Sequence, residues 1–196
     1  QRLVAAAAGW GRPLMVTPRS PVEGGLQRWS DPDRQALLER VWGMEGVHYA
    51  DLELLSSRKL LEWGLEESPA GVHWIASYHE LEGLPGEDEL NTLAADAHHL
   101  GANLFKIAAR TDLAGSAQLA CWCRRQSLST IALPMGEEGA AGRVFGGAFG
   151  SWATYGHVGE ATAPGQWPVA ELRELVERLY DWLFASVSPT PCRRRP

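Results

Sequence analysis

The chain is 196 residues long, with 45% hydrophobic, 21% charged and 9% aromatic residues and a formal net charge of -6, a balance that excludes disorder as the main state and fits one globular domain with a full core. The acidic excess argues against a nucleic-acid-binding surface, because affinity for a polyanion comes from clustered Lys and Arg. No apolar run approaches the roughly 18 residues that a membrane span needs.

In chain order, the sequence opens at Gln1 with what reads as the end of a helix, residues 3–8, a start that points to residues upstream. That stretch is too short and too rich in alanine for a signal-peptide core. Short apolar segments then alternate with longer amphipathic ones. Strands are predicted at 13–18, 48–54, 72–78, 102–108, 130–135 and 152–155, and helices at 31–42, 58–67, 87–100, 116–126, 141–149 and 169–184. Ser30 and Asp31 followed by Pro32 form a typical helix start. Six βα units in this order predict an α/β fold, a parallel sheet with helical crossovers. Residues 1–186 form the expected single domain, and 187–196, with its prolines and Arg193 to Arg195, is expected to be a flexible, solvated tail. Cys121, Cys123 and Cys192 cannot all pair with one another, which fits a reduced, cytoplasmic location.

In a parallel βα architecture chemistry gathers beyond the carboxyl ends of the strands. The polar or pocket-lining residues there are Arg19 and Glu23 after the first strand, Glu53 ending the second, His79 ending the third, Lys106 within the fourth and Met135 ending the fifth. Tyr155, Thr162 and Gln166 follow the sixth, and Arg143 opens the helix after the fifth. Lys106 is the sharpest signal. It sits in Leu104-Phe105-Lys106-Ile107-Ala108, where a strand buried on both faces has little room for an ammonium group. Only Lys59 and Lys106 of the 18 Lys and Arg residues are lysines. Desolvation would leave Lys106 a neutral amine able to form a Schiff base with a ketone; a snorkelling or salt-bridged lysine fits the spacing equally well. His79, at the end of the preceding strand, has the near-neutral pKa of a general base and acid. His98 and His99 read as a solvated helix face. No Cys/His metal spacing or phosphate-binding glycine loop occurs.

Seven blocks carry a resemblance. They are Arg19-Ser20-Pro21-Val22-Glu23-Gly24-Gly25, Asp51-Leu52-Glu53-Leu54, Ser77-Tyr78-His79, Phe105-Lys106-Ile107-Ala108, Gly139-Ala140-Ala141-Gly142-Arg143, Phe149 to Gly156, and Ala161-Thr162-Ala163-Pro164-Gly165-Gln166. In order and at these spacings the chain resembles type I 3-dehydroquinate dehydratase, the Schiff-base dehydroquinase of the shikimate pathway, over nearly all of residues 13–183. The resemblance implies a TIM-type (β/α) barrel and the conversion of 3-dehydroquinate to 3-dehydroshikimate and water without cofactor. It implies that Lys106 forms the imine, that His79 removes the C2 proton and later protonates the leaving hydroxyl, and that Glu23 orients His79. Arg143 and Arg19 would hold the substrate carboxylate. Thr162 and Gln166 would bind substrate, with Met135, Tyr155 and Glu53 also lining the pocket.

The chain departs from that family in three ways. The first two βα units are absent, and with them an acidic and a basic pocket residue. Gly136-Glu137-Glu138 places two acids before Arg143, and Gly142 stands where serine is usual. An incomplete barrel exposes strand edges, so self-association, most simply as a homodimer, is expected; a non-catalytic binding or regulatory protein, or a fragment, is the alternative reading. Another Schiff-base barrel such as a class I aldolase would explain Lys106 but not the Arg19/Glu23 and 163–166 blocks.

Overall fold

A computed structural model describes Gly9 and residues 11–184. Five parallel strands, β1 (Leu14–Val16), β2 (Val47–Glu53), β3 (His73–Glu80), β4 (Leu104–Arg110) and β5 (Thr130–Met135), lie in the order β1-β2-β3-β4-β5. Each strand is therefore hydrogen-bonded to its neighbour in sequence, the arrangement of a singly wound barrel rather than a doubly wound sheet. The helices between and after them are α1 (Asp31–Trp42), α2 (Arg58–Glu67), α3 (Glu87–His99), α4 (Leu113–Arg124), α5 (Gly142–Phe145) and α6 (Val169–Phe184).

Local chemistry explains where these helices start. Ser30 and Asp33 form a reciprocal capping box on α1, Ser57 accepts from the Leu60 amide at the start of α2, and Asp112 accepts from the Gly115 amide in α4, each satisfying amides with no partner inside the helix. The Asp112 cap is why α4 begins three residues before the expected 116. In α3, Glu87, Asp88 and Glu89 occupy the first turn, complementing the helix dipole.

Two apolar layers separate helices from sheet. Leu38, Val41, Trp42, Ala50, Leu52, Leu60 and Trp74 pack as one cluster, and Ala76, Leu90, Ala97, Phe105, Ile107, Leu119 and Trp122 as another. The alternate strand residues point inward, where Ile75, Leu104, Ala108, Ile131 and Leu133 form a third cluster against Met15, Tyr49, Met135, Ala153 and Tyr155. This period-two division puts apolar residues deep in the barrel and Asp51, Ser77, His79 and Lys106 further along the same faces.

The expected sixth strand at 152–155 is not formed. Its first residue donates one backbone hydrogen bond, Trp152 N to the Thr130 carbonyl at 2.8 Å. The next ladder position is lost because the Ala132 amide donates to the Ser151 hydroxyl at 3.0 Å instead of to a strand carbonyl. The expected helix at 141–149 is one α turn followed by a 3-10 turn, Gly146–Phe149, ended by Gly150 at φ +102°. The expected helix end at 3–8 and the tail 187–196, with Cys192, lie outside the described residues. Cys121 is exposed on α4, and Cys123 is buried and unpaired.

Candidate active site

Lys106 is only 4% exposed and stands on β4 directly opposite Ser77 of β3. Its ammonium group donates to Asp51 Oδ2 at 2.7 Å, and the Ser77 hydroxyl donates to Asp51 Oδ1. The Tyr155 ring lies 5.0 Å from the Lys106 nitrogen. Lys106 is thus both buried and ion-paired, and burial is the larger influence: it takes the amine below its ordinary range, against the pull of Asp51. For Asp51 burial alone would raise the pKa, but Lys106, Arg19 and Ser77 together hold it down to about 2.

His79 lies two positions beyond Ser77 on the same face of β3. Its Nδ1 is 2.7 Å from Glu23 Oε2, and the Arg19 guanidinium lies against both ring nitrogens. Burial, followed by the charges of Lys106 and Arg19, lowers the His79 pKa to about 2, so the ring is neutral. Burial first and the neighbouring Glu53 second raise Glu23 to about 8. A neutral imidazole beside a carboxyl able to hold a proton near neutral pH is suited to moving a proton in either direction.

The loop after β1 brings Arg19 and Glu23 to this point. Pro21 starts a 3-10 turn, Pro21–Glu23, and Gly24 leaves it at φ +90°. A Cβ at Gly25 would strike the Arg19 carbonyl, so the chain reverses there only with glycine. Arg19 is the hub of the cluster, within 3.5 Å of Glu23, 3.4 Å of Asp51 and 3.5 Å of Glu53. It is no surface ion pair.

Glu53 faces this loop rather than an open pocket. Its Oε1 accepts from the Ser20 amide at 2.6 Å and its Oε2 pairs with Arg34, while Arg34 Nε donates to the Pro18 carbonyl at 3.1 Å. Arg34 and Glu53 are both buried, so the pair tethers the Arg19 loop to α1 and β2. The sequence reading passed over Arg34 and Asp51 as site residues. The signals were an arginine on the buried stripe Arg34, Leu38 and Val41, and two acids at i and i+2 in an apolar strand.

Arg143 is buried on α5, donates to the Tyr155 carbonyl at 3.3 Å and keeps a buried Nε without a protein partner. Met135 is half-buried among Ala153, Tyr155 and the inner apolar cluster. Thr162 and Gln166 pair with each other, since Gln166 Oε1 accepts from both the Thr162 amide and its hydroxyl at 2.9 Å. Their loop is laid on residues 136–138 through Gly136 N to the Pro164 carbonyl at 3.2 Å. It stands apart from the hydrogen-bond network around Lys106 among the described residues. Glu137 and Glu138 line a neighbouring cleft with Arg110 and the loop 81–87. No group of three or more His, Cys, Asp or Glu side chains among the described residues is arranged to hold a metal ion.

A desolvated amine, a neutral histidine with a carboxyl behind it and a buried guanidinium with a free N–H together can condense with a ketone, move a proton on the adjacent carbon and hold an anion. A family model described as Type I 3-dehydroquinase matches residues 2–181. A 3-dehydroquinate dehydratase from Shouchella clausii is 30% identical over 176 residues, covering 85% of this chain and 68% of that protein. The crystal structure of the 3-dehydroquinate dehydratase from Aquifex aeolicus matches at a TM-score of 0.76 and 33% identity, over 88% of this chain and 76% of that one. A type I 3-dehydroquinate dehydratase from Clostridium difficile, solved with covalently modified comenic acid, matches at a TM-score of 0.77 and 27% identity, over 86% of this chain and 69% of that one.

Proposed function

The chain belongs to the type I 3-dehydroquinase family, and from that premise we propose that it converts 3-dehydroquinate to 3-dehydroshikimate and water through an imine on Lys106. The observation that carries this reading is the placement of the Lys106 amine and the His79 ring on one face of neighbouring strands, deep enough to be desolvated. The Lys106 nitrogen attacks the ketone carbon, the carbonyl oxygen leaves as water, and the protonated imine becomes the electron sink. His79 then takes the proton from the adjacent carbon, the electron pair moves into the imine, and the resulting enamine expels the hydroxyl, to which His79 returns the proton. Water finally hydrolyses the imine and frees Lys106. Glu23 behind Nδ1 fixes the orientation and tautomer of the His79 ring.

Arg143, with its unpartnered Nε, holds the substrate carboxylate, Arg19 assists from the opposite loop, and Thr162, Gln166, Met135 and Tyr155 complete the pocket. Glu53 serves by fixing the Arg19 loop. The reaction belongs to the shikimate pathway, in the cytoplasm, and needs no cofactor. Among the described residues β1 pairs only with β2; an unpaired strand edge supports a homodimer as the working form. The test is growth of enone absorbance on adding 3-dehydroquinate. The wild-type protein turns over and Lys106→Ala does not; turnover surviving in Lys106→Ala overturns the imine route.

A further inference from the structure

Asp51 has no part in the steps above, yet its carboxylate touches the nitrogen on which they all occur. Its side chain is fully buried, Oδ1 is taken by Ser77, and Oδ2 is aimed at the Lys106 nitrogen at 2.7 Å. With one oxygen tied to β3 and the other to β4, the carboxylate cannot turn without breaking a buried hydrogen bond. Nothing in this geometry calls for substrate to touch Asp51.

We propose that Asp51 is a positioning residue for the imine step, holding the Lys106 nitrogen through the same N–H as an ammonium and then as an iminium. The inference rests on the proposed imine chemistry. In the condensation, R–NH3+ and O=C become R–NH+=C and water: the nitrogen loses two protons, the carbonyl oxygen departs with them, and the charge on nitrogen is the same before and after. One carboxylate therefore balances both states. The N–H that remains is the one Asp51 accepts, which turns the new C=N bond away from β2 and fixes the plane of the iminium. Pairing in a dry site costs no reorganisation at the moment of reaction.

The other groups facing Lys106 set what a test must separate. Arg19 and Glu23 approach from the loop after β1, Ser77 and His79 from β3, and the Tyr155 ring from beyond β5. Arg19 and burial both disfavour the ammonium; Asp51 and the more distant Glu23 favour it. Removing the Asp51 charge therefore moves Lys106 toward the free amine, and the loss of positioning is read separately in kcat.

The experiment is competitive acylation of the folded protein with trace acetic anhydride across pH, with Lys106 and Lys59 read separately by peptide mass and Lys59 as the exposed reference. In Asp51→Asn the Lys106 midpoint moves to lower pH by about one unit or more, a roughly tenfold gain in free amine at a fixed pH. Its kcat for 3-dehydroquinate falls more steeply than KM rises. Ser77→Ala keeps the charge but frees the carboxylate to turn; it lowers kcat with a smaller movement of the midpoint, and it decides the matter should Asp51→Asn fail to fold. An unchanged Lys106 midpoint in folded Asp51→Asn, or an unchanged kcat in Ser77→Ala, overturns the proposal. A wild-type adduct on Lys106 after borohydride reduction with substrate shows that the imine reading stands when this proposal falls; absence of that adduct overturns both.

Discussion

Tyr155 donates its hydroxyl to the sulfur of Met15 at 2.9 Å, joining the segment beyond β5 to β1 across 140 positions of sequence. A second contact lies alongside, the Tyr49 and Trp152 rings meeting edge to face with centroids 5.5 Å apart. The segment beyond β5 thus bridges back to the β1–β2 side of the curled five-stranded sheet, and the mouth of the curl holds Lys106.

This seam carries stability as well as shape. Trp152→Ala removes an aromatic pair worth about 1 kcal/mol and lowers the urea midpoint accordingly. An unchanged midpoint would mean that the sheet curls without it.

Arg34 is the buried tether of the Arg19 loop. Arg34→Leu removes the closer of the two guanidinium groups at Glu53 and leaves only Arg19 at 3.5 Å, a loss of about 3 kcal/mol, measured by denaturation. Activity falls with it, because the same loop carries Glu23 to His79. A loss near zero would show that Glu53 is neutralised by other means.

Gly165 adopts φ +72°, and a Cβ there would run into the Gly136 carbonyl. Gly165→Ala therefore lifts the loop bearing Thr162 and Gln166 away from residues 136–138. We expect KM for 3-dehydroquinate to rise by roughly 10-fold while circular dichroism is unchanged, the cost of displacing groups that orient a substrate. A wild-type KM would remove Thr162 and Gln166 from substrate binding.

Stability depends on pH through the same cluster. Glu23 holds a proton in the folded protein up to about 8, against 4.5 for an ordinary glutamate, so the unfolded chain binds fewer protons between those values and stability falls as pH rises through them. His79 acts in the other direction: its folded pKa of about 2 lies below the ordinary histidine value of 6.5, and its contribution, full above 6.5, is lost as pH falls. Glu23→Gln removes the first effect. Denaturation of that variant and of the wild type at about pH 5 and about pH 9 gives a variant relatively more stable at the higher pH; equal differences at both would place the Glu23 proton elsewhere.

Much of this arrangement is legible in the sequence because the barrel separates its signals by period. The segment 130–135 and the helices 31–42 and 58–67 fall at their expected bounds, where apolar runs and Ser caps agree. Lys106 stands out as a lysine among apolar strand residues in a chain whose basic residues, Lys59 apart, are otherwise arginines. The expected sixth strand fails through one hydroxyl: Ser151 captures the Ala132 amide, a competition that apolar patterning does not register. Asp51 and Arg34 were hidden for a related reason. Each is a charge on the buried side of its element whose meaning depends on a partner 55 or 19 residues away, and sequence spacing says nothing of that partner.

The central claim is that Lys106 carries the reaction as an imine. The direct measurement is to incubate the protein with 3-dehydroquinate, reduce with borohydride and map the modified peptide by mass. The account predicts one adduct on Lys106, with the exposed Lys59 unmodified. Turnover without any adduct on Lys106 would contradict it.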